Sequence, residues 1–217
     1  MRAARRTGHA MSPSRLEAFS DGVIAIAITL LVLDIHVPTP RAGASLASEL
    51  GRQWPHYVAY LTSFLTIGII WINHHAAIRR LGQVDHGVMT LNILLLLTIG
   101  VLPFTTALAA EYLRLGHGAH LAVAIYSGSY LLMSIAFIAL NRQILLVKPQ
   151  LHRVKLSVEE CRRILRRNVT GLLPYALATA LAAVSPYVTL AICGAVALFY
   201  ALPFASADSS SAIAPGG

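Results

Sequence analysis

FSDGVIAIAITLLVLDI, residues 19–35, holds two acids, Asp21 and Asp34, with twelve uncharged residues between them. Coiled as a helix, those twelve residues cover about 18 Å. A bilayer's hydrocarbon core is about 30 Å thick and takes about 20 residues to cross. If this helix spans a membrane, at least one carboxylate lies at or below the lipid headgroups. An ionisable group at that depth is costly and marks a functional position by default.

The rest of the chain shares this character. Of 217 residues, 56% are hydrophobic and 12% charged, and the mean hydropathy is +0.66. A soluble domain is nearer about 25% charged. The composition specifies an all-α integral membrane protein, so the net charge of +8 reads as topology and not as nucleic-acid affinity. Cys161 and Cys193 lack metal-ligand spacing and read as unpaired thiols. Ala42-Gly43-Ala44 resembles a signal cleavage site. It lies past Pro38 and Pro40, however, and Asp21 interrupts the passage from basic to apolar sequence, so residues 15–36 are expected as a retained helix.

Six apolar segments follow, at about 17–36, 55–78, 87–110, 120–146, 169–185 and 187–204. Residues 1–14 read as a basic cytoplasmic arm, 15–204 as a six-helix transmembrane domain, and 205–217 as a low-complexity, disordered cytoplasmic tail. Ser14 with Glu17 has capping-box spacing at the first helix, and Ser157 with Glu160 at a short amphipathic lead into the fifth. With the N-terminus inside, fourteen Lys and Arg fall on inner segments, and three, Arg41, Arg52 and Arg114, on outer ones. That bias places both termini in the cytoplasm and requires an even number of spans. The arginines of residues 147–168 are expected to face anionic lipid headgroups.

Residues three and four apart share a helix face. Phe19, Gly22, Ile26, Leu30, Leu33 and Val37 form such a stripe, with Thr29 its only bordering hydroxyl. The stripe reads as packed core or lipid-facing surface if the helix acts alone. If several copies surround an axis, Ile26, Leu30 and Leu33 become stacked aliphatic rings, a dewetting constriction.

Asp21 needs a partner. Glu17, one turn earlier, repels it, and Arg15 points elsewhere. The second span ends WINHHAAIRR, in which Trp71 and His75 share one face near the inner end, as Asp21 does. Indole and imidazole N–H groups are suitable donors to a carboxylate. Asn73, His74 and, in the third span, Asn92 are alternates. The bland reading of this cluster is a polar clamp locking helices one to three. Adjacent His74 and His75 diverge by about 100° on a helix and do not chelate a metal together.

Arg15-x-x-x-Phe19-Ser20-Asp21 and the run after it resemble the signature of the transmembrane protein 175 family, lysosomal and endosomal potassium channels with bacterial relatives. The W-x-x-H-H of span two, Asn92 and Pro103-Phe104 support the resemblance. It implies a bacterial, single-repeat form assembling as a homotetramer, with the first helix lining a central pore and no TVGYG filter. It implies a narrowest ring at Ile26, apolar rings at Leu30 and Leu33, and ion preference linked with Thr29. Arg15, Phe19, Ser20, Asp21, Trp71 and Asn92 would belong to the polar network holding the pore helix. His75 is preferred to His74 in that network for its spacing from Trp71.

The expected protein is therefore a passive, potassium-favouring cation channel of the bacterial plasma membrane. Its partners are copies of itself, membrane lipids and the permeant potassium ion, with no cofactor and no nucleic acid. The rival reading is a secondary transporter or proton pathway using Asp21 and His75. No nucleophile–base pair or cofactor motif points to an enzyme.

Overall fold

A computed structural model of the chain describes residues 12–39, 43–153 and 156–202. The expected arm falls almost wholly, and the expected tail entirely, outside the described residues. Eight α-helices are described: α1 (Pro13–Leu30, continued by a 3₁₀ turn Leu31–Asp34), α2 (Leu46–Arg52), α3 (Trp54–Ile78) and α4 (His86–Leu115) are followed by α5 (Ala119–Arg142, continued by a π turn Gln143–Val147), α6 (Val158–Thr170), α7 (Leu173–Leu181) and α8 (Pro186–Ala201). No strand occurs among the described residues.

Four of these are long and apolar enough to cross a membrane: Pro13–Asp34, Trp54–Ile78, His86–Leu115 and Ala119–Val147. They match the first four expected spans. The expected fifth span, 169–185, is not one helix. A turn at Gly171 and Leu172 separates α6 from α7, and Pro174, in the first turn of α7, has no N–H to carry the ladder back to Thr170. The nine residues of α7 rise about 14 Å and the sixteen of α8 about 24 Å, each short of the about 30 Å core.

The start of α1 also differs from expectation. Ser12 is the N-cap, Pro13 occupies the first turn, and no side chain caps the helix. Pro at that position is pre-set for helix and loses nothing by lacking an N–H. Ser14 therefore lies inside the helix, and Glu17 is released for a tertiary contact. The Ser157–Glu160 capping box does form at α6.

α4 and α5 make the most extensive helix pair, and α3 packs against α1, α4 and α8. The turn between α4 and α5 uses Gly116 and Gly118 at φ 80° and 72°. A Cβ on Gly118 would also lie 2.8 Å from the Tyr112 ring, so only glycine fits there. The shared core includes Ile67, Leu95, Ile99, Tyr126 and Tyr130. α1 lies against this core through Leu16, Ser20, Ile24, Ala27 and Leu31, the 3–4 repeat of one helix face.

Candidate functional site: the uncovered face of α1 and the clamp behind it

The face of α1 opposite its packing face has no cover within the protomer. Ile26 is 61% exposed, Leu30 44% and Leu33 68%, and Phe19 and Val37 are exposed with them. Thr29 is exposed on the same side. Its hydroxyl donates to the carbonyls of Ala25 at 3.0 Å and Ile26 at 2.9 Å. With its proton used within the helix, the Thr29 oxygen presents lone pairs outward, the polarity that suits a cation.

Behind this face, two rows of polar contacts pin α1. In the buried row, the Ser20 hydroxyl donates to the Leu16 carbonyl at 2.8 Å and accepts from Asn92 Nδ2 at 2.9 Å. Asn92 Oδ1 then lies 2.7 Å from His74 Nε2. Because Asn92 Oδ1 can only accept, this arrangement assigns the proton to His74 Nε2. All three side chains are fully buried. In the partly exposed row, Trp71 Nε1 donates to Asp21 Oδ1 at 2.8 Å. One turn further toward the start of α1, His75 Nδ1 approaches Glu17 Oε1 to 2.8 Å, close enough to pair although poorly aligned as a hydrogen bond.

The site residues expected from sequence are thus separated by the fold. Ser20 and Asn92 meet in the buried row, and Asp21 and Trp71 meet in the exposed one. His75 does not reach Asp21; it pairs with Glu17, and His74 is the buried histidine. The spacing with Trp71 places His75 correctly on Trp71's face, but that face is the half-exposed seam between α1 and α3. The core-facing position belongs to the neighbouring residue. Arg15 is exposed, and its side chain makes no hydrogen bond or ion pair among the described residues. Phe19 lies on the uncovered face and not in the clamp.

Two further clusters escape the sequence reading. Mid-bundle, Ser63 Oγ lies 2.8 Å from Thr106 Oγ1 and 2.7 Å from the Tyr130 hydroxyl, which donates to the Tyr126 hydroxyl at 2.7 Å. Tyr126 and Tyr130, one turn apart in an apolar run, were the available signal. Near the start of α3, buried His56 sits 3.9 Å from Asp34 and 3.8 Å from Glu111, and Glu111 accepts from Arg114 Nε at 2.9 Å. Nothing local to His56 announces this cluster, since its partners come from the ends of α1 and α4.

Residues 15–103, which contain both rows of the clamp, match the model of the TMEM175 family, described as the endosomal/lysosomal potassium channel TMEM175. A potassium channel of Streptomyces collinus is 44% identical over 93% of this chain and 97% of its own length. The chain belongs to the TMEM175 family. This is a family of ion channels, so the protein is not an enzyme. Among solved TMEM175 structures, the crystal structure of a lysosomal potassium-selective channel homologue from Chamaesiphon minutus superposes with a TM-score of 0.78 at 37% identity, covering 87% of this chain and 96% of that one. The endosomal/lysosomal proton channel TMEM175 of Gallus gallus is 42% identical over 49% of this chain, a match covering 23% of that larger protein.

Proposed function

We propose that the protein is a potassium-favouring cation channel of the bacterial plasma membrane, formed by four copies that bring their α1 helices around a common axis. The observation that carries this reading is the continuous aliphatic face of α1, uncovered in the protomer and backed by the Ser20–Asn92–His74 and Asp21–Trp71 hydrogen bonds. Lipid would tolerate such a face. It would not call for a Ser–Asn–His row behind it that fixes the helix rotation, because lipid imposes no rotation on a helix.

In this reading Ile26 forms the narrowest ring and Leu30 and Leu33 stack further apolar rings toward the outer end. Apolar rings oppose wetting and so set the barrier to the hydrated ion. Thr29 hydroxyl oxygens replace part of the lost hydration, which gives modest selectivity without a carbonyl cage. α7 and α8 would complete six membrane-inserted segments with both termini cytoplasmic, as the fourteen-to-three charge bias supports.

Planar-bilayer recording of the reconstituted protein tests the proposal. Unitary currents reversing near the potassium equilibrium potential are expected. A proton pathway, supported by the name of the Gallus gallus relative, predicts reversal that follows the proton gradient instead. Flux without unitary events would favour a transporter.

A further inference from the structure

A crevice of about 360 Å³ opens between α3, α5 and α6, with Tyr175 and Tyr200 also lining it. None of its lining residues comes from α1 or α4, so it is separate from the uncovered face of α1. It runs along α3 from Thr66 to Arg80, about 21 Å of helix. Its upper wall carries Ile69, Ile72 and Ile138, interspersed with the polar side chains of Thr66, Asn73 and Ser134.

Its inner end is cationic. Arg80 and Arg167 both line it, and no carboxylate among the described residues pairs with either. Burial, and then the neighbouring Arg167, push the Arg80 guanidinium below its ordinary pKa. Beside them, Asn168 Nδ2 is buried with no hydrogen-bond partner among the described residues. Two like charges and an unused donor converge on one spot, and an anion placed there would relieve all three.

We infer that this crevice binds an anionic phospholipid of the inner leaflet, its phosphate held by Arg80, Arg167 and Asn168 and one acyl chain laid along Ile69, Ile72 and Ile138. The guanidiniums supply forked donors matched to phosphate oxygens. A free anion would satisfy only the cationic end. The length of apolar wall above it calls for a hydrocarbon chain attached to that anion.

Native mass spectrometry of the full-length protein, released from a neutral detergent with phosphatidylglycerol or phosphatidylcholine added, tests this. Phosphatidylglycerol should be retained in preference, and the pair Arg80→Gln and Arg167→Gln should weaken its retention about tenfold or more. Phosphatidylcholine retention should be unaffected. Ile138→Trp, which fills the apolar wall and leaves both arginines, should also lower retention; this variant covers the case in which the arginine pair fails to fold. Arg79→Gln, on an exposed neighbouring position, should change nothing. Equal retention of phosphatidylglycerol by the double variant, or its displacement by millimolar inorganic phosphate alone, would overturn the inference. The measurement reads bound lipid and not current, so it stands or falls independently of the conduction proposal.

Discussion

Trp71 Nε1 donates to Asp21 Oδ1 across 2.8 Å, and this bond defines an antiparallel register between α1 and α3. Four residues back along α1 and four forward along α3, Glu17 approaches His75 to 2.8 Å as an ion pair. The i, i+4 repeat of each helix turns one pairing into two, and the rotation of α1 follows. The acid that looked costly in isolation has a donor on the facing helix.

Replacing Trp71 by Phe should therefore loosen α1 more than lost ring area explains. Hydrogen bonds to charged groups contribute about 1.5–3 kcal/mol, and with Trp71 41% exposed about 1 kcal/mol is expected. Asp21→Asn should do the same in part, since an amide oxygen still accepts. Thermal unfolding in detergent measures both. Ion permeability ratios should shift less than stability in each variant, and a converse result would favour the proton-relay reading.

The buried row is less forgiving. Asn92→Leu removes the middle of the Ser20–Asn92–His74 chain and leaves two buried polar groups without their partner, at about 1–3 kcal/mol. Ser20→Ala removes only the end and should cost about 1 kcal/mol. A melting-temperature comparison in which Ser20→Ala is the worse of the two would contradict this order.

The Ser63 cluster predicts a purely structural effect. Ser63→Ala deprives Thr106 and Tyr130 of a shared partner between α3, α4 and α5. The expected cost is about 1 kcal/mol, the scale of interhelical hydrogen bonds in membranes. Single-channel conductance of the reconstituted variant should match that of the parent.

For the uncovered face, Ile26→Asn should raise current by hydrating the ring. Thr29→Ala should lower the preference for potassium over sodium while leaving the channel folded, because its hydroxyl bonds only to its own helix. Bilayer recordings under bi-ionic conditions read both. Unchanged conductance in Ile26→Asn would remove Ile26 from the constriction.

The start of α6 should respond to acid. The backbone N–H and hydroxyl of Ser157 hold the Glu160 carboxyl below the usual range. A depressed carboxyl contributes stability above its unfolded pKa and loses it as pH falls through the folded value. Amide exchange in the first turn of α6 should therefore quicken as pH drops below the ordinary glutamate range, after correction for intrinsic rates. In Ser157→Ala the dependence should flatten.

Most of the fold was legible because hydropathy and length report directly on a membrane span. The first four spans, the stripe on α1 and the partnership of Asp21 with a donor on span two all follow from periodicity. The continuous fifth span did not survive, because composition registers Pro174 as one residue in an apolar run while the backbone registers it as a missing hydrogen bond. The two histidines divide for a related reason: His75 pairs with Glu17 of α1, and His74 with buried Asn92. Helical spacing assigns residues to a common face but does not say which face turns inward, and His74 and His75 differ by one step around α3.

By itself, then, the amino-acid order determined a helical membrane protein and an aliphatic stripe bordered by a single hydroxyl. Those properties reside in local composition and in the 3.6-residue turn. The tertiary structure alone decided that the stripe of α1 is left uncovered, that His74 and not His75 closes the buried row, and that Arg80 and Arg167 share one crevice. Each of these depends on how helices distant in sequence are rotated against one another. That rotation is set by the summed packing and hydrogen bonding of the whole bundle, which no local window contains.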